Sequence, residues 1–193
     1  MNRIARLGMF VGLLVVAPQL GVARAQESGT SNEPSPASSE LSPVDHDFVA
    51  QANLGAPFQI DSGRLADKKA LTPALREYAR LMVDDYGAQK DALDRILQRK
   101  GIEAPPQPLL QGAYRALLAS LEGEEDVLEL ERNYMNAQLE YQKGSAALFE
   151  NVIQNGTDSE LKEFARTTLP KMEDHLQRIT KVTADVKRRM LTH

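Results

Sequence analysis

The chain contains no cysteine and no tryptophan. Without a thiol it forms no disulfide, thiolate nucleophile, zinc–thiolate cluster, thiolate-ligated iron–sulfur centre or cysteine-linked lipid anchor. Aromatic residues are few, five Phe and five Tyr, and the histidines are His46, His175 and His193. A di-iron centre in a helical bundle needs a Glu-x-x-His pair on each of two helices. Met172 stands three residues before His175 and Pro43 three before His46, so that motif is absent. A glycine-rich phosphate loop, an HExxH zinc motif and a Gly-x-Ser-x-Gly elbow are also missing. No segment alternates β-branched and polar residues over a strand's length, which excludes a sheet. Beyond the N-terminal region no stretch approaches the roughly 20 apolar residues of a membrane-spanning helix.

What is present begins with an export pattern. Arg3 and Arg6, an apolar stretch from Leu7 to Ala17 and the small-residue sequence Ala23-Arg24-Ala25 predict a signal peptide over residues 1–25, cleaved before Gln26. The expected destination is the far side of the inner membrane, a periplasmic location with envelope association and no transmembrane anchor after cleavage. Residues 26–43 are rich in Ser, Pro, Gly and Glu, too poor in apolar surface to offset the entropy of ordering, and read as a linker. Residues 44–193 remain for one folded domain.

Without Arg3, Arg6 and Arg24 the 23 basic residues fall to 20 against 27 acidic ones, a net charge of −7 for the mature part. Nucleic acid is therefore not an expected partner, since phosphate binding draws on surplus clustered cations. Basic residues do gather at the C-terminal end: Lys171, Arg178, Lys181, Lys187, Arg188 and Arg189. They complement the negative pole of a last helix, or form a basic face for an envelope surface or envelope protein. The acids from Glu122 to Asp126 read as a solvated helix start rather than a calcium site.

Four helical segments are expected, the first and fourth kinked by proline. Ser42, Pro43 and Asp45 supply a cap hydroxyl, a first-turn proline and an acid, with the helix running to about Ala70 and interrupted at Gly55-Ala56-Pro57. Thr72-Pro73 starts the second helix, which carries Leu75, Tyr78, Met82, Tyr86, Leu93 and Ile96 or Leu97 on one stripe and stops at Gly101. A third region begins near Leu109, bends at Gly123 and ends at Asn155-Gly156. Thr157 to Glu160 forms a capping box for the fourth, whose stripe includes Phe164, Met172, His175 and Ile179, with Pro170 inside. Gly63 and Gly144 are expected at close helix contacts. The whole is a four-helix bundle, and parallel second and third helices would require a long crossover between Ile102 and Gly123.

Extending the stripes places Gln59, Tyr86, Gln142 and His175 inside, one per helix. If they share a level they should form a hydrogen-bonded layer, because buried polar groups need partners. His175 and Met172, at i and i+3, are the candidate metal ligands. With Met82 and Met135 on other helices they would suit Cu(I), and less well haem, although methionine at helical spacing is usually core filler.

The segments FVAQANLGAPFQIDSGRLADKKA, LREYARLMVDDY, ERNYMNAQLEYQKGSAALFE and LKEFARTTLPKMEDHL resemble the exported bacterial bundles of domain-of-unknown-function family 4142, over roughly Asp47 to Ile179. The resemblance implies a ferritin-like four-helix fold and no common activity. It further implies an acid at the position of Gln59 and histidines at those of Tyr86 and Gln142 in many members, beside the imidazole kept here as His175. Two amides and a phenol are poor ligands for a divalent transition metal, so any such site looks dismantled. The expectation is a protein without a catalytic site, serving a structural, stress-related or partner-binding role. The alternative is a metal-binding or metal-storage bundle, for Cu or Fe, with a degenerate site around His175.

Overall fold

The structure, a computed structural model, describes residues 41–104 and 108–191. The signal segment and nearly all of the linker lie outside the described residues. Five helices follow one another: α1 Pro43–Lys69, α2 Pro73–Lys100, α3 Pro108–Glu122, α4 Val127–Asn155 and α5 Ser159–Leu191. None among the described residues is long and apolar enough to cross a membrane.

The four long helices, α1, α2, α4 and α5, form an all-α bundle, and α3 is its crossover. Tyr78 and Tyr86 of α2 meet Gln138 and Gln142 of α4 in the same order, so these two helices run in parallel. Asp85 of α2 meets Lys171 and Arg99 meets Glu160, so α5 runs against α2. A parallel α2 and α4 require the chain to return along the bundle, and α3 makes that return. Its Tyr114 stacks on Phe58 of α1 at 4.9 Å, and Lys69 at the end of α1 reaches the carbonyl of Glu122 at 2.7 Å.

The third region is thus two helices rather than one helix bent at Gly123. The acids after Gly123 start a new helix, because the Asp126 carboxylate accepts from the N–H groups of Leu128 and Glu129 at 2.9 and 3.4 Å. Nor is α1 interrupted at Gly55-Ala56-Pro57. Pro57 and Pro170 both sit on exposed faces inside continuous helices, where each removes one N–H donor without ending the helix.

Helix ends follow the cap chemistry with three exceptions, the first being Thr72, whose hydroxyl makes no cap to α2 and donates to Glu131 instead. Ser42 Oγ accepts from Asp45 N–H at 3.2 Å, and Gly101 takes a left-handed φ of 63° after α2. Thr157, however, is not the cap of α5. Asp158 is, accepting from Glu160 and Leu161 N–H at 3.0 Å each, while Thr157 turns to Asp45. Gly156 keeps an extended backbone, and what it supplies is room: a Cβ there would lie 2.5 Å from Asp45 Oδ1.

The core has two parts. Phe48 meets Phe149 and Phe164 edge to face, and the three rings cluster with Leu93, Leu97, Val152 and Leu161 toward the α1 start. Leu75, Met82, Tyr86, Met172 and Ile179 fill the other half. Each large side chain so buried contributes roughly 1.5–3 kcal/mol. Gly63 is a close helix contact, since a Cβ would meet Ala79 O at 2.8 Å, but Gly144 is not, having nothing within 4 Å.

Candidate functional site

Steps of three and four residues on α2, α4 and α5 bring polar side chains into the second half of the core. Gln59, Tyr86, Gln142 and His175 are all fully buried. A chain of hydrogen bonds runs between the diagonal helices α2 and α4. Tyr86 Oη donates to Gln142 Oε1 at 3.0 Å, Gln142 Nε2 donates to Tyr78 Oη at 3.3 Å, and Tyr78 Oη donates to Gln138 Oε1 at 3.2 Å. Two thioethers flank it: Met172 Sδ lies 3.2 Å from Tyr86 Oη and Met82 Sδ lies 3.3 Å from Gln142 Nε2.

The other two residues do not join that chain. Neither amide atom of Gln59 has a hydrogen-bond partner in the protein. His175 turns outward, its Nε2 at 2.8 Å from Asp85 Oδ2, while Lys171 Nζ holds the second carboxylate oxygen at 3.0 Å. Its ring centre is 5.7 Å from that of Tyr86. The expected single layer is therefore a bonded Tyr86–Gln142 pair, an imidazole tied to a carboxylate, and an unpaired amide.

Burial disfavours the charged form of His175 and outweighs the hydrogen bond its ring donates to Asp85, so its pKa falls below the ordinary 6.5. Burial alone would raise the pKa of Asp85, yet the hydrogen bonds from His175 and Lys171 hold it below 3.8. Asp85 is thus an acceptor only, and Nε2 of a neutral His175 carries the proton. Its Nδ1 is left as a buried lone pair without a protein partner. Burial also raises the pKa of Tyr78, Tyr86, Tyr134 and Tyr141, keeping these phenols protonated.

These residues do not fit a divalent transition-metal centre. The two amides and the phenol are neutral, Tyr86 and Gln142 are bonded to each other, and the one carboxylate at hand is engaged by His175 and Lys171. Among the described residues no group of three or more His, Asp or Glu side chains could hold a metal ion. Much of the C-terminal positive charge is also paired, Lys171 with Asp85, Arg178 with Asp174 and Arg188 with Asp185.

Sequence periodicity passed over three members of this interior. Gln89 continues the α2 stripe between Tyr86 and Leu93, and Gln138 lies four residues from both Tyr134 and Gln142. Both are buried and the spacing alone identifies them. Asp85 lies off the stripe, at the helix edge with 21% of its side chain exposed, and only the packing of α5 brings it to His175.

A family model described as Domain of unknown function (DUF4142) matches residues 30–182. A crystal structure of a DUF305 fragment from Deinococcus radiodurans superposes with a TM-score of 0.65, covering 75% of this chain and 98% of that one at 16% identity. At that identity the likeness concerns the fold. Comparison with curated proteins gives no match.

Proposed function

The chain belongs to the DUF4142 family, and from that footing we propose an exported bundle that works in the bacterial envelope by binding rather than by catalysis. The observation that carries this reading is the polar interior itself. Where a bundle enzyme would aim convergent carboxylates and imidazoles at a reacting centre, Tyr86, Gln142, Tyr78 and Gln138 hydrogen-bond one another and His175 is held by Asp85. The export pattern of residues 1–25 supports the location. The test is to isolate the mature protein from the native envelope without chelator, determine its metal content, and assay oxidase and peroxidase turnover. The expected result is no turnover and an N-terminus at Gln26. A metal-dependent turnover that disappears in His175→Ala overturns the reading.

One observation favours a second reading, a metal-binding protein with a site around His175. The buried Nδ1 lone pair of His175 shares a helix face with Met172, a soft imidazole and thioether set suited to Cu(I). Titration of Cu(I) against a competing chelator tests it. Retention by the wild type that is lost in both His175→Ala and Met172→Leu supports it, and no retention removes it.

A further inference from the structure

Asn155 closes α4 and is the one asparagine of the chain followed by glycine. That pair is chemically unstable in an unfolded chain. With no side chain on the next residue to hinder it, the Gly156 nitrogen reaches the Asn155 carboxamide carbon and closes a five-membered imide. In the fold the two residues have unlike surroundings. Asn155 is exposed, and among the described residues its carboxamide bonds only Asn151 Oδ1, at 2.8 Å and one turn back on the same helix. Gly156 is buried, and a Cβ there would lie 2.5 Å from Asp45 Oδ1 and 2.6 Å from Val152 O. Packing against Asp45 therefore demands the glycine and leaves the asparagine before it at the surface.

The folded chain holds the reaction off. The attacking nitrogen donates its proton to Val152 O at 2.9 Å, and the Gly156 carbonyl accepts from Lys162 Nζ at 2.9 Å. Asp45 Oδ2 fastens the next two residues, accepting from Thr157 N–H and Oγ1 at 2.9 Å each and from Asp158 N–H at 3.1 Å. Closing the imide requires Asn155 to leave the helical ψ and Gly156 to leave its slot. Both follow only when the turn between α4 and α5 detaches from Asp45.

We propose that Asn155 is a self-modification site gated by Asp45. When the turn opens, the Gly156 nitrogen attacks Asn155 Cγ, a C–N bond forms, and the carboxamide nitrogen leaves as ammonia with the proton of the Gly156 amide. Water then opens the imide to aspartate or to isoaspartate. Neither product restores the original turn. Aspartate adds a negative charge at the negative pole of α4, and isoaspartate adds a methylene to the main chain where Gly156 has no room. The conversion is one-way and leaves a permanent record of opening at this end of the bundle, whatever the bundle binds.

The test ages the mature full-length protein in mildly alkaline buffer and follows the amide-to-acid mass change at each asparagine by peptide mass spectrometry. The expected result is conversion at Asn155 and none at Asn133 or Asn151. In the folded protein it should run at least about a hundredfold slower than in urea, because a reaction slower than closing samples only the open population. Asp45→Asn should convert about tenfold or more faster, and Thr157→Val, which loses the hydroxyl bond alone, about threefold faster. Gln142→Met, which loosens the other half of the core, should convert at the wild-type rate. Circular dichroism establishes that each variant is folded before ageing. Equal rates in folded and urea-unfolded protein, no conversion in urea, no acceleration by Asp45→Asn and Thr157→Val, or equal acceleration by Asp45→Asn and Gln142→Met overturns the proposal.

Discussion

Asp45 Oδ2 accepts both the backbone N–H and the hydroxyl of Thr157, each at 2.9 Å. One carboxylate at the start of α1 thereby fixes the turn between α4 and α5. At the other end of the bundle Glu131 of α4 does the same for the turn between α1 and α2, accepting from Leu71 N–H, Thr72 N–H and Thr72 Oγ1 at 2.7, 2.6 and 2.8 Å. Both carboxylates are buried, at 0% and 1% exposure. Because the carboxylates bond backbone N–H groups at helix starts, the pairing satisfies donors that have no partner within the helix.

Asp45→Asn is expected to destabilise the fold by about 2–4 kcal/mol, measured by urea denaturation at neutral pH. Burial raises the pKa of Asp45, but hydrogen bonds from Ser42, Thr157 and Asp158 together hold it below 3.8. The stabilisation is therefore complete above the unfolded value and is lost as pH falls through the lower folded one. Denaturation curves from about pH 5 to about pH 2 should show a shallower acid dependence in the variant.

The apolar stripes of α2 and α5 were legible in the sequence because they repeat at three and four residues within a single helix. Relations between helices were not. Asp45 and Thr157 lie 112 positions apart, and nothing local distinguishes Asp45 from an ordinary first-turn acid. The sequence places Gly55 at an interruption of α1 and Gly144 at a close helix contact, yet Gly55 faces the hydroxyl of Tyr141 from another helix and Gly144 faces open space. Asp85 escaped notice for the same reason, since its partner His175 is supplied by α5.

The two glycines should accordingly respond to alanine with opposite signs. Gly55→Ala would place a Cβ 1.9 Å from Tyr141 Oη. That ring is hemmed in by Phe58, Tyr86 and Tyr114 and has little freedom to yield. A loss of about 1–3 kcal/mol is expected. Gly144→Ala meets nothing and should gain about 0.5–1 kcal/mol from helix propensity. Urea midpoints of the two variants check both.

Buried amides should separate in the same way. Gln142 bonds Tyr86 and Tyr78, so Gln142→Met removes the amide acceptor of the Tyr86 hydroxyl and one of the two partners of the Tyr78 hydroxyl, which keeps Gln138, and is expected to cost about 1–3 kcal/mol. Gln59 has no protein partner for either amide atom, so Gln59→Met keeps the length of the side chain while removing two desolvated polar atoms. It should be neutral or stabilising by about 1 kcal/mol. A destabilised Gln59→Met would mean that this amide is satisfied in solution.

His175 gives the remaining pH dependence, and its sign is opposite to that of a histidine stabilised by its carboxylate. Burial, the larger influence, favours the neutral ring, and the hydrogen bond to the Asp85 carboxylate offsets it only in part. The unfolded chain therefore takes up a proton near pH 6.5 while the folded one does so lower. The stability held by this group is complete above 6.5 and declines as pH falls from there to the folded value. Chemical denaturation across that window should show the decline in the wild type and its removal in His175→Gln. Asp85→Asn takes away the influence that raises the pKa, so the His175 resonance should titrate at still lower pH. Nitrogen-detected imidazole NMR near neutrality should find the proton on Nε2, facing Asp85, and a bare Nδ1. A proton on Nδ1 instead would break the assignment of Asp85 as the group that orients this ring.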